Sequence, residues 1–344
     1  MAVRLLAAGD HFVLNRLLVD ALRAEAPDAV ETTQLTLPWP IEPFGPVAEV
    51  DEASGTEEDL IEALRGVQIC VTQMAPFTRK VLDAAAELKL ICVTRGGPVN
   101  VNLTAATERG IPVCSAPGRN ATATAEHAVA MILAVLRRIP ATHVDLTHGD
   151  WRGDYYRYDS VGPELSGSTV GLVGFGAVGS RVARALRGFG VHLLVHDPYV
   201  QQHQLGDDAE LTTLEDLLSR ATIVTLHARV TAETRRMIGA AQLALMPPGS
   251  VIVNCARGAL LDYDAVCDAL DRGHLFGAAF DVFPHEPIPA GSRLLTTPNI
   301  VVTPHLAGAS RQTAANAARM AAAEVGRYLR REPLRHCANP EVLR

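Results

Sequence analysis

Short runs of β-branched and aliphatic residues alternate along this chain with longer stretches in which apolar positions recur every three to four residues. Strands buried on both faces of a parallel sheet read as continuous apolar runs, and the helices that connect them are amphipathic, so the pattern predicts repeated βα units. In the first third the predicted strands run from Val3 to Ala7, Gln68 to Thr72, Lys89 to Thr94 and Pro112 to Ser115. The texture then changes. Asn120 to Ile139 (NATATAEHAVAMILAVLRRI) is rich in Ala, Leu and Met, with Pro117-Gly118 before it and Pro140 close behind, and predicts one long helix. A second series of strands is predicted at Thr169 to Val173, His192 to His196, Thr222 to Leu226, Val251 to Asn254, Gly277 to Asp281 and Ile300 to Thr303. Beyond Gly308, SRQTAANAARMAAAEVGRYLRRE predicts a final helix, and LPWPIEPFGP (Leu37 to Pro46) reads as a surface loop.

Composition narrows the class. With 344 residues the chain has room for about two domains and hence one cleft. The formal charge of -7, with no basic run interleaved with aromatics, argues against nucleic acid or an anionic membrane as the main partner. Although 48% of residues are hydrophobic, no apolar stretch reaches the roughly 18 residues of a membrane span. The opening MAVRLLAAGDHF does not read as a signal or transit peptide, which makes the cytoplasm the expected location. Cys70, Cys92, Cys114, Cys255, Cys267 and Cys337 are widely spaced and suit small buried hydrophobes in a reducing compartment. His192, His196 and His203 form no helix-compatible pair beside a Cys cluster, so no metal is expected.

Candidate chemistry concentrates in the second series of strands. Thr169-Val-Gly-Leu-Val leads into Gly174, Gly176 and Gly179, a helical segment follows, and Asp197 closes the next strand 21 residues after Gly176. In that context Gly174 permits a tight turn, Gly176 lets the backbone approach a pyrophosphate, and Gly179 lets helix and strand pack closely, with free N–H groups offered to phosphates. An acid at position 197 would bond the adenosine ribose hydroxyls and repel a 2'-phosphate, favouring NAD over NADP, although a protonated His196 would soften that preference. Three further segments each follow a strand: Val253-Asn-Cys-Ala-Arg257-Gly258, Asp281-Val-Phe-Pro-His-Glu286-Pro287 and Thr303-Pro-His305-Leu-Ala-Gly308. Ligands bind outside the carboxyl ends of strands in such sheets, so Arg257, Glu286 and His305 can converge on one site.

In this order the motifs resemble the D-isomer-specific 2-hydroxyacid dehydrogenase family, which includes phosphoglycerate, glycerate and D-lactate dehydrogenases. Gly162-Pro-Glu-Leu-Ser-Gly, Leu226-His227, Glu233-Thr234 and Arg109-Gly-Ile-Pro-Val extend the resemblance over nearly the whole chain. It implies an α/β protein of two domains. A Rossmann NAD-binding domain, residues 118 to 308, would be inserted into a flavodoxin-like substrate-binding domain made of residues 1 to 117 and 309 to 344, with a hinged cleft between them. The implied catalytic residues are Arg257, Glu286 and His305. Arg257 would grip the substrate carboxylate and polarise the 2-oxo oxygen, His305 would act as acid and base, and Glu286 would fix its tautomer and favour the imidazolium.

The resemblance further implies that Ala177 and Val178 join Gly174, Gly176, Gly179 and Asp197 around NAD. His227, Cys255, Ala256, Asp281, Ala307 and Gly308 would line the nicotinamide end with Arg257 and His305. Substrate carboxylate would meet Arg95, Gly96 and Gly97 in Thr94-Arg-Gly-Gly-Pro-Val, where the family more often has a small residue followed by G-V-G. Arg95 points either to an acid with an anionic or polyhydroxylated tail or to solvent, and the substrate stays open. The helix beginning at Asn120 and the segment WRGDYYRY, Trp151 to Tyr158, match the region through which relatives dimerise, so the expected partners are a small 2-hydroxy or 2-oxo acid and a second copy of the chain. With 39 residues after His305, no appended regulatory domain is expected. Two other readings share this scaffold. One is a formate or phosphite dehydrogenase, of which the formate enzymes carry Gln where Glu286 stands; the other is a non-enzymatic NAD(H)-sensing regulator.

Overall fold

A computed structural model describes residues 3–27, 30–39 and 45–343, and the chain divides into two compact units, Met1–Arg119 with Ser310–Arg344, and Asn120–Ala309. The first unit opens with β1 (Val3–Gly9), α1 (Asn15–Glu25), β2 (Val30–Thr36), α2 (Glu57–Ala63), β3 (Ile69–Thr72), α3 (Arg79–Ala84), β4 (Leu90–Val93), α4 (Leu103–Glu108) and β5 (Val113–Cys114). Side chains at the helix N-termini supply the local signals: Thr56, Thr78 and Asn102 each accept from a backbone N–H of the first turn of α2, α3 and α4. The five strands are parallel in the order β2-β1-β3-β4-β5. That order reverses between β1 and β3, the flavodoxin-like arrangement.

Among the described residues, five strands stand where four were expected in this stretch. The additional strand, β2, reads VETTQLT and buries no residue fully, so its sequence lacks the apolar run that marked its neighbours; its pairing with β1 makes it a strand. Of the predicted Pro-rich loop, Pro40 to Phe44 lie outside the described residues.

The second unit begins with α5 (Ala121–Leu136) and α6 (Ile139–Thr147). α5 is the helix expected from Asn120 to Ile139, ending three residues early, and a second helix that was not expected, α6, follows it. Arg138 takes a left-handed conformation (φ 50°) and breaks the run, its guanidinium lying 5.1 Å from the centre of the Phe276 ring. Pro140 then sits in the first turn of α6, where a missing N–H costs nothing, so it starts a helix instead of ending one. There follow β6 (Thr169–Val173), α7 (Gly179–Arg187), β7 (His192–His196), β8 (Ala209–Leu211), α8 (Leu214–Arg220), β9 (Ile223–Leu226), α9 (Ala240–Leu245), β10 (Ser250–Asn254), α10 (Tyr263–Asp271), β11 (Leu275–Phe280) and β12 (Ile300–Val302). These seven strands, against six expected, pair in the order β12-β11-β10-β9-β6-β7-β8. The unexpected β8 is a three-residue edge strand, too short to show a period.

This is the doubly wound Rossmann order, with its reversal between β6 and β9. One apolar cluster, including Ile132, Val182 and Leu186, covers one face of the sheet, and another, including Leu217, Leu243 and Val266, covers the other. The inner strands β6, β9, β10 and β11 are buried on both sides, which explains their apolar runs, whereas the edge strands β8 and β12 keep exposed residues. The last helix, α11 (Arg311–Leu329), returns to the first unit, where Ala314, Ala318, Ala321 and Val325 pack with Leu18 and Leu22 of α1 against β1, β3 and β4. Among the described residues no helix is long and apolar enough to cross a membrane.

Candidate active site

The carboxyl ends of β6, β9, β10, β11 and β12 carry most of the residues singled out in the second unit. At the end of β6 the three glycines answer to three different constraints. Gly174 has φ +99°, and a Cβ there would stand 2.8 Å from Ala228 N. A Cβ on Gly179 would overlap the Gly174 carbonyl and stand 3.5 Å from His227 Cβ, and the overlap with the carbonyl admits only a hydrogen there. Gly176 is exposed, with no heavy atom within 4 Å of where its Cβ would be. A side chain at 176 would fill a space that adjoins the N-terminus of α7, where a phosphate is favoured by unpaired N–H groups and the helix dipole.

Ala177 and Val178 complete this turn, which is held by Arg181 Nη1 donating to Ala177 O at 2.6 Å and by Ser180 Oγ donating to Gly176 O at 2.8 Å. Asp197, just past β7, accepts from Phe175 N at 2.7 Å and Tyr199 N at 2.9 Å, so the acid also ties the glycine turn to the neighbouring strand. His227, beyond β9, bonds Thr225 Oγ1 through Nε2 at 3.1 Å, while its buried Nδ1 has no partner among the described residues. Burial pushes this imidazole down to about 4, so it is neutral near pH 7. The open space at Gly176, the orphaned nitrogen of His227 and the acid at the end of β7 fit a dinucleotide.

At the end of β10, Asn254 builds the turn that presents Arg257. Its Oδ1 accepts from Ala256 N at 3.0 Å, and its Nδ2 donates to Arg257 O at 2.9 Å and to the Tyr263 hydroxyl at 3.1 Å. Tyr263 in turn donates to Val282 O at 2.6 Å, which couples this turn to the segment after β11. Gly258 makes the same coupling through backbone packing, since a Cβ there would collide with Phe283 and Pro284. Cys255 and Ala256 lie within the turn, and burial raises the Cys255 thiol well above its ordinary range, leaving it unreactive. Arg257 itself is exposed.

Glu286 and His305 meet directly, with Glu286 Oε2 2.7 Å from His305 Nδ1. The other carboxylate oxygen accepts from Phe283 N at 2.9 Å. Partial burial pushes the Glu286 carboxyl up, but the bond to His305, the Phe283 N–H and the charges of His305 and Arg257 outweigh it and leave the group below the ordinary glutamate range. Arg257 is thus close enough for its charge to act on Glu286. His305 has φ +53°, a conformation that costs a non-glycine residue about 1 to 2 kcal/mol, and its side chain is 49% exposed.

The strain at His305 is held by Asp281, which has no exposed surface. Its Oδ1 accepts from Thr303 Oγ1 at 2.6 Å and Leu306 N at 2.8 Å, and its Oδ2 from Ala307 N at 2.7 Å. Gly308 ends this segment 3.5 Å from Asn120 Cβ, measured from where its own Cβ would be. A buried carboxylate needs such donors to remain charged. Glu286 and His305 are therefore in contact, Asp281 holds the segment from Thr303 to Ala307, and Arg257 and the glycine turn belong to the same unit. Arg95, Gly96 and Gly97 belong to the other, where Arg95 pairs with Glu52 and, among the described residues apart from the chain neighbours, no heavy atom comes within 4 Å of a Cβ built on Gly96 or Gly97.

Asn254, Tyr263 and Thr303 organise this site without having been singled out as functional. An Asn at a strand end followed by a small-residue turn is a readable signal for the first. Nothing in the order of residues pairs Tyr263 with Val282.

The chain is 35% identical over 302 residues to D-3-phosphoglycerate dehydrogenase of Methanocaldococcus jannaschii, covering 85% of this chain and 56% of that protein. It is 34% identical to glyoxylate reductase of Korarchaeum cryptofilum, covering 86% of this chain and 89% of the relative. Among solved structures, NAD-dependent formate dehydrogenase from Staphylococcus aureus in complex with NAD superposes with a TM-score of 0.76 at 26% identity, covering 97% of each chain. The chain spans about half the length of the phosphoglycerate dehydrogenases it matches. Residues 129–307 match the model of the NAD binding domain of D-isomer specific 2-hydroxyacid dehydrogenases, and with these relatives that match makes the chain a member of the D-isomer specific 2-hydroxyacid dehydrogenase family.

Proposed function

We propose that this protein is an NAD-dependent dehydrogenase that interconverts a D-2-hydroxy acid and its 2-oxo acid, with Arg257, Glu286 and His305 as its catalytic residues. The observation that carries the reading is the 2.7 Å contact of His305 Nδ1 with Glu286 beside an exposed arginine, at the carboxyl ends of the strands of an NAD-binding sheet. Glu286 accepts at Nδ1, which leaves Nε2 of His305 to take the proton of the 2-hydroxyl in oxidation and to return it to the 2-oxo oxygen in reduction. The fork of Arg257 turns from Ala256 O, to which Nη1 now donates at 2.7 Å, onto the substrate carboxylate and the oxygen at C2. When bound, NAD supplies the hydride acceptor at its nicotinamide ring. Gly174, Gly176, Ala177, Val178, Gly179 and Asp197 would hold its pyrophosphate and adenosine, and His227, Cys255, Ala256, Asp281, Ala307 and Gly308 its nicotinamide end.

The first unit is assigned the rest of the substrate, through Gly96, Gly97 and Arg95. A second copy of the chain is the proposed macromolecular partner. No residue of α6 is fully buried, and Ile139, Leu146, Trp151, Tyr156 and Tyr158 are all more than half exposed, an aromatic and aliphatic surface suited to an interface. The six free cysteines suit the cytoplasm.

The test is oxidation of NADH, with NADPH in parallel, against glyoxylate, hydroxypyruvate, pyruvate, phosphohydroxypyruvate and longer keto sugar acids. Turnover should fall by about 10² to 10⁴-fold in His305→Ala with NADH affinity retained, and should be lost in Arg257→Ala. Undiminished turnover in His305→Ala would overturn the assignment, and turnover of formate with NAD but of no 2-oxo acid would replace it.

A further inference from the structure

We infer that His127, on α5, is a positioning residue for His305, acting through Thr303 and the buried carboxylate of Asp281. The inference rests on the acid–base reading of His305, but its geometry stands independently. His127 Nε2 lies 3.0 Å from Thr303 Oγ1 and 3.6 Å from Asp281 Oδ1. A threonine hydroxyl has one proton, and here it points to Asp281, which when ionised can only accept. Thr303 Oγ1 therefore meets His127 with a lone pair, and Nε2 must carry the proton. This assigns the tautomer of His127 and extends the set of donors around Asp281 to an imidazole N–H.

The placement of these donors gives His127 its consequence. Those that bond Asp281 directly come from Thr303, Leu306 and Ala307, which bracket His305 on both sides. His305 is held at φ +53° inside that bracket, and its N–H bonds Thr303 O at 3.0 Å. Loosening the bracket lets the residue relax toward negative φ, which would swing Nδ1 away from Glu286. The N-terminal end of α5 meets the bracket at two points. Asn120, Thr124 and His127 follow the three-to-four spacing of a helix face, with the Asn120 side chain against Gly308 and His127 against Thr303.

The role predicts which replacement works. Glutamine places its amide N–H at nearly the reach of Nε2 and can donate to Thr303, whereas leucine fills the space and donates nothing, and asparagine is too short. One lost hydrogen bond to such a group corresponds to about a fivefold change in an opening equilibrium. Hydrogen exchange of the cofactor-free chain is therefore followed at Leu306 and Ala307, with Val251 to Asn254 of β10 as an internal reference. In His127→Leu both loop amides should exchange about fivefold faster with the reference unchanged, and His127→Gln should restore the wild-type rates to within about twofold. With NADH and a 2-oxo acid that the wild-type enzyme reduces, kcat should follow the same order while the Kd for NADH, read by fluorescence, moves less than about twofold.

If the reference amides of His127→Leu show that it has not folded, His127→Asn takes its place with the same expectation. Unchanged exchange at Leu306 and Ala307 in the Leu or Asn variant, or exchange in His127→Gln as fast as in His127→Leu, overturns the inference. If the wild-type protein reduces none of the acids, the dehydrogenase reading falls, while the exchange data still decide whether His127 holds the loop.

Discussion

Replacing Gly258 with alanine adds one methyl at the point where two catalytic segments touch. The residue follows Arg257, and a Cβ on it would lie 2.8 Å from Pro284 N and nearer still to the carbonyl of Phe283, whereas ordinary contact begins at about 3.4 Å. Every close atom is backbone, so no side chain can rotate away. Relieving the contact with the Phe283 carbonyl requires the Arg257 turn and the segment from Phe283 to Glu286 to part by about 1 Å or more. Overpacking of this kind costs about 1 to 3 kcal/mol, and a misplacement approaching 1 Å in a catalytic constellation costs about 100-fold in rate. The separation falls between Arg257 on one side and Glu286, with His305 bonded to it, on the other. We therefore expect Gly258→Ala to fold with a melting temperature lower by a few degrees, to bind NADH at the glycine turn almost normally, and to lose about 10- to 100-fold in kcat. Calorimetry, NADH fluorescence and steady-state reduction of a 2-oxo acid measure the three quantities. Full kcat in Gly258→Ala would refute the claim that this contact sets the spacing of the catalytic segments, and so would loss of NADH binding without loss of kcat.

Two other outcomes follow from the cofactor side. Asp197→Ser removes a charge that a 2'-phosphate would face while keeping an acceptor for Phe175 N or Tyr199 N, and the ratio of kcat/KM for NADPH to that for NADH should rise at least about tenfold; an unchanged ratio would show that selectivity lies elsewhere. His227 is held down to about 4 by burial, against about 6.5 in an unfolded chain, so its neutral form costs nothing above about pH 6.5, and stability is lost as pH falls toward 4 because the unfolded chain binds the proton first. The loss attributable to this group is at most about 3 kcal/mol, and denaturant titrations of wild type and His227→Gln should converge or cross between pH 7 and pH 4.5, whereas a constant difference across that range would contradict the assignment.

Much of this protein is written locally. Strands buried on two faces must be apolar throughout, which made β6, β7, β9 and β10 readable within a residue or so at each end. The glycine turn was equally legible, because Gly174 needs a positive φ and Gly179 a missing side chain, and both are properties of single positions. Where pairing to a neighbour decides the outcome, local pattern was insufficient. β2 is polar and β8 is three residues long, and each becomes a strand only through its hydrogen bonds to β1 or β7. The break at Arg138 was hidden for a related reason, since Pro140 is compatible with both the end of one helix and the first turn of the next.

The candidate site divides along the same line. The residue types at positions 257, 286 and 305, and their places after successive strands, were determined by the order of amino acids alone. Tertiary structure decided that Glu286 takes Nδ1 of His305, that Asp281 is a buried clamp with donors from Thr303, Leu306 and Ala307, and that His127 reaches that clamp from α5. Tertiary structure also decided that Arg95 pairs with Glu52, 43 positions away in the chain. A motif records which group is present at a strand end, whereas the tautomer, the strain and the partner of that group depend on contacts between residues tens to hundreds of positions apart, which exist only once the sheet has formed.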